Sequence, residues 1–184
     1  QTQTLFIPKQ DVEFFDVWQV SGLRGTGSFS FEVKDHFVPA RRRFVDAKTP
    51  RESGPLYLIP RSLFFASGFA AVALGVARSG LDVAIDTALK KTPQEQALLR
   101  DQPLTQREIG LGEALWGSAH AFLTETATAL WRNACDHHSL TLESRIQLRL
   151  ASTHAIRKAA EVVDIAYSIC GASSIFESSP IHRK

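Results

Sequence analysis

PLTQREIGLGEALWGSAHAFLTETATALWRNACDHHSLTLESRIQLRLASTHAIRKAAEVVDIAYSICG, residues 103–171, carries the pattern that decides the fold. Its first half sets Leu111, Leu115, Ala119, Phe122, Thr126, Leu130 and Ala134 at spacings of three and four, the repeat that keeps side chains on one helix face. The second half does the same with Leu142, Ile146, Leu150, Thr153, Ile156, Ala160, Val163, Tyr167 and Cys170. Pro103 at the start and Gly171 at the end punctuate two helices of roughly 30 residues each. Helices of that length joined by a short polar turn must lie antiparallel and bury their stripes together.

Working upstream, residues 61–91 predict a third long helix, stopped by Thr92-Pro93. Gly68, Ala71 and Gly75 recur on one of its faces and predict close approach of another backbone. The uncharged stretch 63–77 falls short of the roughly 20 residues that span a bilayer. It is bounded by Arg61 and Arg78 and reads as a helix buried on most sides within the protein. Three such helices leave an open groove, so a fourth is expected beyond Lys184 or from a partner subunit.

Ahead of the helices the character is β. Val12, Phe14, Phe15, Val17, Trp18 and Val20 are β-branched or aromatic, and Gly22, Gly25 and Gly27 supply a turn. Phe29, Phe31 and Val33 then alternate with Ser28, Ser30, Glu32 and Lys34, predicting a strand with one buried and one wet face, ended by Pro39. Two or three strands are too few to close a sheet, so their partners are expected outside these residues. The predicted class is therefore mainly α, an antiparallel up-and-down bundle of long helices preceded by a few β-strands. The expected organisation is 1–45 as the end of a β domain, 46–60 as a polar linker with Pro50 and Gly54, and 61–184 as an incomplete bundle. No Met opens the chain or occurs within it, which reads as processing or excision from a longer protein.

A net charge of +2, from 21 basic and 19 acidic residues, argues against a surface dedicated to nucleic acid or anionic membrane. The short run Arg41, Arg42, Arg43 reads as a solvated strand exit. Cys135 and Cys170 fall far apart on predicted helices and read as buried thiols of a cytoplasmic protein; the polar N-terminus shows no secretory pattern.

Little chemistry stands out from spacing. Asp136, His137 and His138 sit beside Cys135, but adjacent helical residues point about 100° apart and share one ion poorly. No metal is expected there; the imidazoles read as caps of a helix C-terminus. His36, His120 and His154 read as surface residues. The glycine turn 22–28 opens a strand rather than a helix, which favours a tight β connection over a phosphate loop. Gly171, Ala172, Ser173 and Ser174 follow a helix stop and offer hydroxyls and free amides, either to a phosphate or ribose or to an ordinary turn.

Four segments, in order, resemble acyl-CoA dehydrogenase-like flavoproteins. GLRGTGSFSFEVKDHFVPARR (22–42) resembles their middle-domain strand signature, and FASGFAAVALGVARSGLD (65–82) the first helix of their C-terminal bundle. PLTQREIGLGEA (103–114) resembles the start of the second helix, and EVVDIAYSICGASSIFESSPIHRK (161–184) the end of the third with its flavin-contacting turn. GLRGTGS and GASSIFESSPIHR further resemble the two-component, flavin-dependent hydroxylase branch. Acyl-CoA dehydrogenases themselves usually carry Gly-Gly-x-Gly where this chain has Gly171, Ala172, Ser173 and Ser174.

The resemblance implies a C-terminal β end plus helical bundle of a monooxygenase. Such an enzyme takes reduced FMN (alternatively FAD) from a separate reductase and hydroxylates an aromatic or similar small molecule. It also implies assembly as a homotetramer. The other readings are an FAD-dependent acyl-CoA dehydrogenase and a helical assembly module without cofactor. By resemblance, Gln106 and the turn Gly171, Ala172, Ser173, Ser174 approach the flavin of a neighbouring subunit. Lys91 stands near a family arginine that meets the flavin phosphate. Arg61 is either a contact to anionic reduced flavin or a solvated residue of the first helical turn. The resemblance assigns no catalytic residue within the chain.

Overall fold

The computed structural model describes residues 3–45 and 52–183 and divides into two compact units, one up to Arg51 and one from Glu52. In the first unit, β1 (Gln3–Leu5) pairs antiparallel with β4 (Arg43–Val45), and β2 (Glu13–Phe15) with β3 (Ser30–Glu32). These are two separate two-stranded ladders. The anticipated long strand with one buried face is only β3, and its residues are exposed on both sides. Two-stranded ladders have no second layer to cover a face, so Phe14 meets its cross-strand partner Phe31 with tilted rings and has the Lys9 ammonium over its ring. The glycine turn is a 3-10 turn, Arg24–Thr26, flanked by Leu23 and Gly27 in the left-handed region and tied by Trp18 Nε1 donating to the Leu23 carbonyl (3.0 Å). Residues 41–44 are exposed, with Arg43 inside β4.

The second unit is a three-helix bundle: α1 (Arg61–Lys90, 30 residues), α2 (Pro103–His137, 35 residues) and α3 (Leu142–Cys170, 29 residues). The helix limits follow the sequence signals. Pro103 occupies the first turn of α2, where its missing N–H costs nothing. His138 ends α2 in the left-handed conformation, and the Thr141 side chain caps α3 by accepting from Ser144 N. Contacts of Trp116 with Leu74, of Gly112 with Leu81 and Ile165, and of Phe122 with His154 show α2 running antiparallel to both neighbours. α1 and α3 therefore run parallel, and α3 packs along both α1 and α2. Of the stretch expected as linker, residues 46–51 lie outside the described residues. Pro55–Leu58 form a 3-10 turn that contacts α2, and Ile59 packs on the core.

The helix faces differ from expectation. On α3 the core holds Leu148, Ala151, Ser152, Ala155, Ala159, Val162, Ala166 and Cys170. The anticipated stripe points elsewhere: Leu142, Ile146, Leu150, Ile156 and Tyr167 are exposed, as are Thr153 and Ala160, and Val163 is only half-buried. On α2, Leu111 is exposed, although Ala119, Leu130 and Ala134 are buried as anticipated. On α1 the packed residues are Leu63, Ala70, Leu74, Ala77, Gly80, Leu81, Ala84 and Ala88, whereas Gly68, Ala71 and Gly75 face outward. The reason is common to α1 and α3. Close helix packing favours alanines on the buried face, and many of the bulkier residues fall on a second face.

Phe64, Phe65, Phe69 and Val72 share that outward face of α1. The most apolar part of α1 is only one-third buried (33 %), not buried on most sides. By length and composition α1 would also suit a membrane. Its inward side, however, is packed against α2 and α3, and it carries Arg78, which pairs with both Asp82 and Glu113.

Candidate functional site

The C-terminal ends of α1 and α3 meet. Lys91, which caps α1, donates from Nζ to the Cys170 carbonyl (2.7 Å) and to Ser173 Oγ (3.0 Å). Gly171 caps α3 with φ +62° and ψ −147°, a conformation that is essentially glycine's alone. A Cβ there would stand 3.6 Å from Lys91 Nζ. Ser174 is fully buried, its hydroxyl donating to the Tyr167 carbonyl (2.9 Å), while Ala172 and Ser173 stay exposed. The chain then folds back, and Ile181 seals the turn by packing on Ala84, Ala166 and Cys170, beside Gly80.

Beside this turn lies an open cavity of about 580 Å3, lined by Ser79, Asp82, Asp86, Thr87, Lys90, Lys91, Ser173 and Ser179 among others. Asp86 is neutralised by Lys90 (2.6 Å) and Asp82 by Arg78 (2.8 Å). Arg78 also reaches Glu113 (2.7 Å), and that hydrogen bond, against the opposing effect of burial, raises its pKa further above the ordinary guanidinium value. Lys91 differs: among the described residues its charge meets neutral oxygens and no carboxylate. An ammonium with two of its three protons used and no counter-ion is suited to an anion. The carbonyl ends of α1 and α3 oppose an anion here, so anion binding at this end depends on Lys91.

Of the residues anticipated from sequence, the structure brings together Lys91, Gly171, Ala172, Ser173 and Ser174. Gln106 lies at the same end of the bundle, in the first turns of α2. It does not line the cavity; its side chain holds the Arg100 carbonyl (2.9 Å) and so shapes the α1–α2 connection. Arg61 opens α1 and is separated from Lys91 by the full helix, about 45 Å at 1.5 Å per residue. Sequence reasoning missed Ser79, Asp82, Asp86 and Lys90. The available signal was the outward face of α1, which changes from apolar to polar at Ser79. Among the described residues no group of three or more His, Cys, Asp or Glu side chains forms a metal site, and both cysteines are free. His36 sits 3.8 Å from Asp11, His120 stacks on Trp116, and His154 meets the edge of Phe122.

The same fold recurs among known proteins. The chain is 32 % identical over 178 residues to an indole-3-acetate monooxygenase of Pseudomonas putida, covering 96 % of this chain and 46 % of that protein. It is 25 % identical over 201 residues to the flavin-dependent monooxygenase, oxygenase subunit HsaA, of Rhodococcus jostii, covering 98 % and 50 %. The fold matches XiaF of Streptomyces, solved in complex with FADH2 and glycerol, with a TM-score of 0.82 at 23 % identity, over 98 % of this chain and 48 % of that one. The chain thus spans about half the length of the curated relatives it matches. Acyl-CoA dehydrogenase, C-terminal domain, is the family matched over residues 67–184. With most of its length inside that match, the chain belongs to the acyl-CoA dehydrogenase C-terminal domain family.

Proposed function

We propose that this chain is part of the oxygenase component of a two-component, flavin-dependent monooxygenase that hydroxylates an aromatic or similar organic substrate. The observation that carries the reading is Lys91, a cation without a carboxylate partner among the described residues, set beside the Ser173 hydroxyl at the rim of a cavity of about 580 Å3. That volume lies within the range of cofactor sites. The donor set fits the phosphate end of a flavin nucleotide: Lys91 supplies charge and Ser173 a hydroxyl whose lone pair already accepts from Lys91, leaving its proton to donate outward. Gly171 and Ser174 hold the turn in place, and Gln106 fixes the neighbouring connection.

When bound, reduced flavin supplies the electrons with which oxygen is activated for transfer to the substrate. The residues of this chain bind and orient; they hold the phosphate end and keep the turn rigid. Reduced FMN is the proposed cofactor. FAD is the second choice, favoured by the bound form recorded for the XiaF fold relative. A separate reductase would supply the reduced flavin, as expected for a protein resembling an oxygenase subunit.

A homotetramer is proposed on two grounds. The outward faces of α1 and α3 are apolar and uncovered. In addition, Arg61 and Lys91 of one chain stand too far apart to touch one flavin, so each would serve a different cofactor molecule. Two free thiols fit a reducing, cytoplasmic setting.

The test supplies the full-length protein with a reductase, NADH, FMN and an aromatic acid, and follows oxygen uptake and hydroxylated product. Product formed only with reduced flavin supports the reading. Oxidation of an acyl-CoA with bound FAD, and no oxygen-dependent product, would establish the dehydrogenase alternative instead.

A further inference from the structure

The cavity beside Lys91 is walled in part by a strap held between two buried anchors. At one end Ser174 is fully buried, its hydroxyl donating to the Tyr167 carbonyl (2.9 Å). At the other, Ile181 is 2 % exposed and packs on Ala84, Ala166 and Cys170. Between them Ile175, Phe176, Glu177, Ser178 and Pro180 are exposed and Ser179 is half-buried. Ser179 and Pro180 nevertheless line the cavity, together with Asp86, Thr87 and Lys90 of α1. The strap's backbone bonds are its own: Ser179 N donates to the Phe176 carbonyl (2.9 Å) and His182 N to the Ser179 carbonyl (3.1 Å). Among the described residues no hydrogen bond joins residues 175–180 to a long helix. A swing of the strap therefore breaks no bond to the bundle; what it has to break is the seat of Ile181.

That seat is made by small residues. A Cβ added to Gly80 would stand 3.5 Å from Ile181 Cδ1 and 3.8 Å from Ala166 Cβ, so Gly80, Ala84 and Ala166 leave a notch that the isoleucine fills. One buried aliphatic side chain contributes far less than the core of the bundle, so its release is a local opening and not unfolding. We propose that Ile181 is a latch, a positioning residue that sets whether residues 175–180 close the anion cavity. Seated, it holds Ser179 and Pro180 at the rim and encloses a phosphate beside Lys91. Released, it lets the strap swing and the phosphate leave. The ligand half of this statement rests on the flavin reading, in which the cofactor arrives reduced from another protein and has to be exchanged; the latch itself does not.

Glu177 lies on the strap and Glu113 within α2, so a glutamate-specific protease reports on both. Cleavage follows the population of the open form, and a strap anchored at both ends fits a protease cleft only once the latch is released. In the full-length protein, cleavage after Glu177 should be at least tenfold faster in I181A and intermediate in I181V, with cleavage after Glu113 close to native. An unchanged rate at Glu177, or a rise at Glu113 in step with it, overturns the proposal, the second because Ile181 would then only stabilise the bundle. Saturating FMN should slow cleavage after Glu177 at least tenfold in the native protein, a readout that needs no variant. By stopped flow, FMN should leave I181A at least tenfold faster, while riboflavin, with no phosphate to enclose, leaves at the native rate. Bound FMN that gives no protection, or equal acceleration of both flavins, overturns the gating role. FMN that fails to bind while the contrast between Glu177 and Glu113 persists would overturn the flavin reading alone.

Discussion

Lys91 Nζ stands 3.0 Å from Ser173 Oγ, joining the end of the first long helix to the turn after the third. The same ammonium holds the Cys170 carbonyl at 2.7 Å. Replacing it with methionine keeps the stem and removes the charge. Charge-assisted bonds to a phosphate contribute about 1.5–3 kcal/mol, so FMN affinity in K91M should fall roughly 10- to 100-fold. Riboflavin, which lacks the phosphate, should bind with unchanged affinity. Fluorescence titration of both flavins measures the difference. An equal loss for both would mean that Lys91 only shapes the turn.

Trp116 Nε1 donates to the Leu74 carbonyl (2.9 Å), and the Arg78 guanidinium lies 5.4 Å from its ring centroid. W116F would lose a hydrogen bond worth about 0.5–1.5 kcal/mol and weaken the cation–π contact by a further fraction of a kcal/mol. Urea denaturation should show a loss of about 1–2 kcal/mol with little change in slope.

Gly112 and Gly75 separate two kinds of small residue. A Cβ on Gly112 would come 3.1 Å from Leu81 Cδ1, and Leu81 is wholly buried, with little room to move. Overpacking costs about 1–3 kcal/mol against a helix-propensity gain of about 1 kcal/mol, so G112A should destabilise by up to about 2 kcal/mol. A Cβ on Gly75 would meet nothing within 4 Å among the described residues. G75A should therefore leave the fold of a single chain intact and show its cost only where a neighbouring subunit packs. Thermal melts at high and low protein concentration distinguish the two.

The outward face of α1 gives a fourth test. Phe69 is 66 % exposed beside Phe65 and Val72. F69D should shift the assembly toward smaller species in sedimentation velocity while helix content by circular dichroism is unchanged. An unaltered sedimentation profile would remove this face from the proposed tetramer contact.

These tests also mark what could be read from residues alone. Helix limits were legible because Pro103, Thr92-Pro93 and Gly171 act through backbone geometry, which needs no knowledge of neighbours. Faces were not legible on α3. Leu142, Ile146 and Leu150 form as regular a stripe as Leu148, Ala155 and Val162, and periodicity ranks bulky side chains above alanine. Tight packing reverses that ranking, since alanine lets helix axes approach. At the candidate site, the turn Gly171, Ala172, Ser173, Ser174 and Lys91 were reachable through resemblance, although they are separated by some 80 positions of sequence and only the fold joins them. Asp82 and Asp86 carried no signal beyond the change of α1's outward face from apolar to polar.

The parallel course of α1 and α3 has a consequence for the order of assembly. α2 and α3 are joined by residues 138–141 and can zip together locally, whereas α1 must return across the whole of α2 to lie beside α3. Contacts of such sequence separation form late, because chain closure has to precede their reward. Pulsed hydrogen exchange during refolding should protect amides around Leu148 and Ala155 before those around Ala77 and Leu81. The lysine clasp on the third helix would then be among the last contacts to close, and a chain stalled before that step would have a formed hairpin but no anion-binding end.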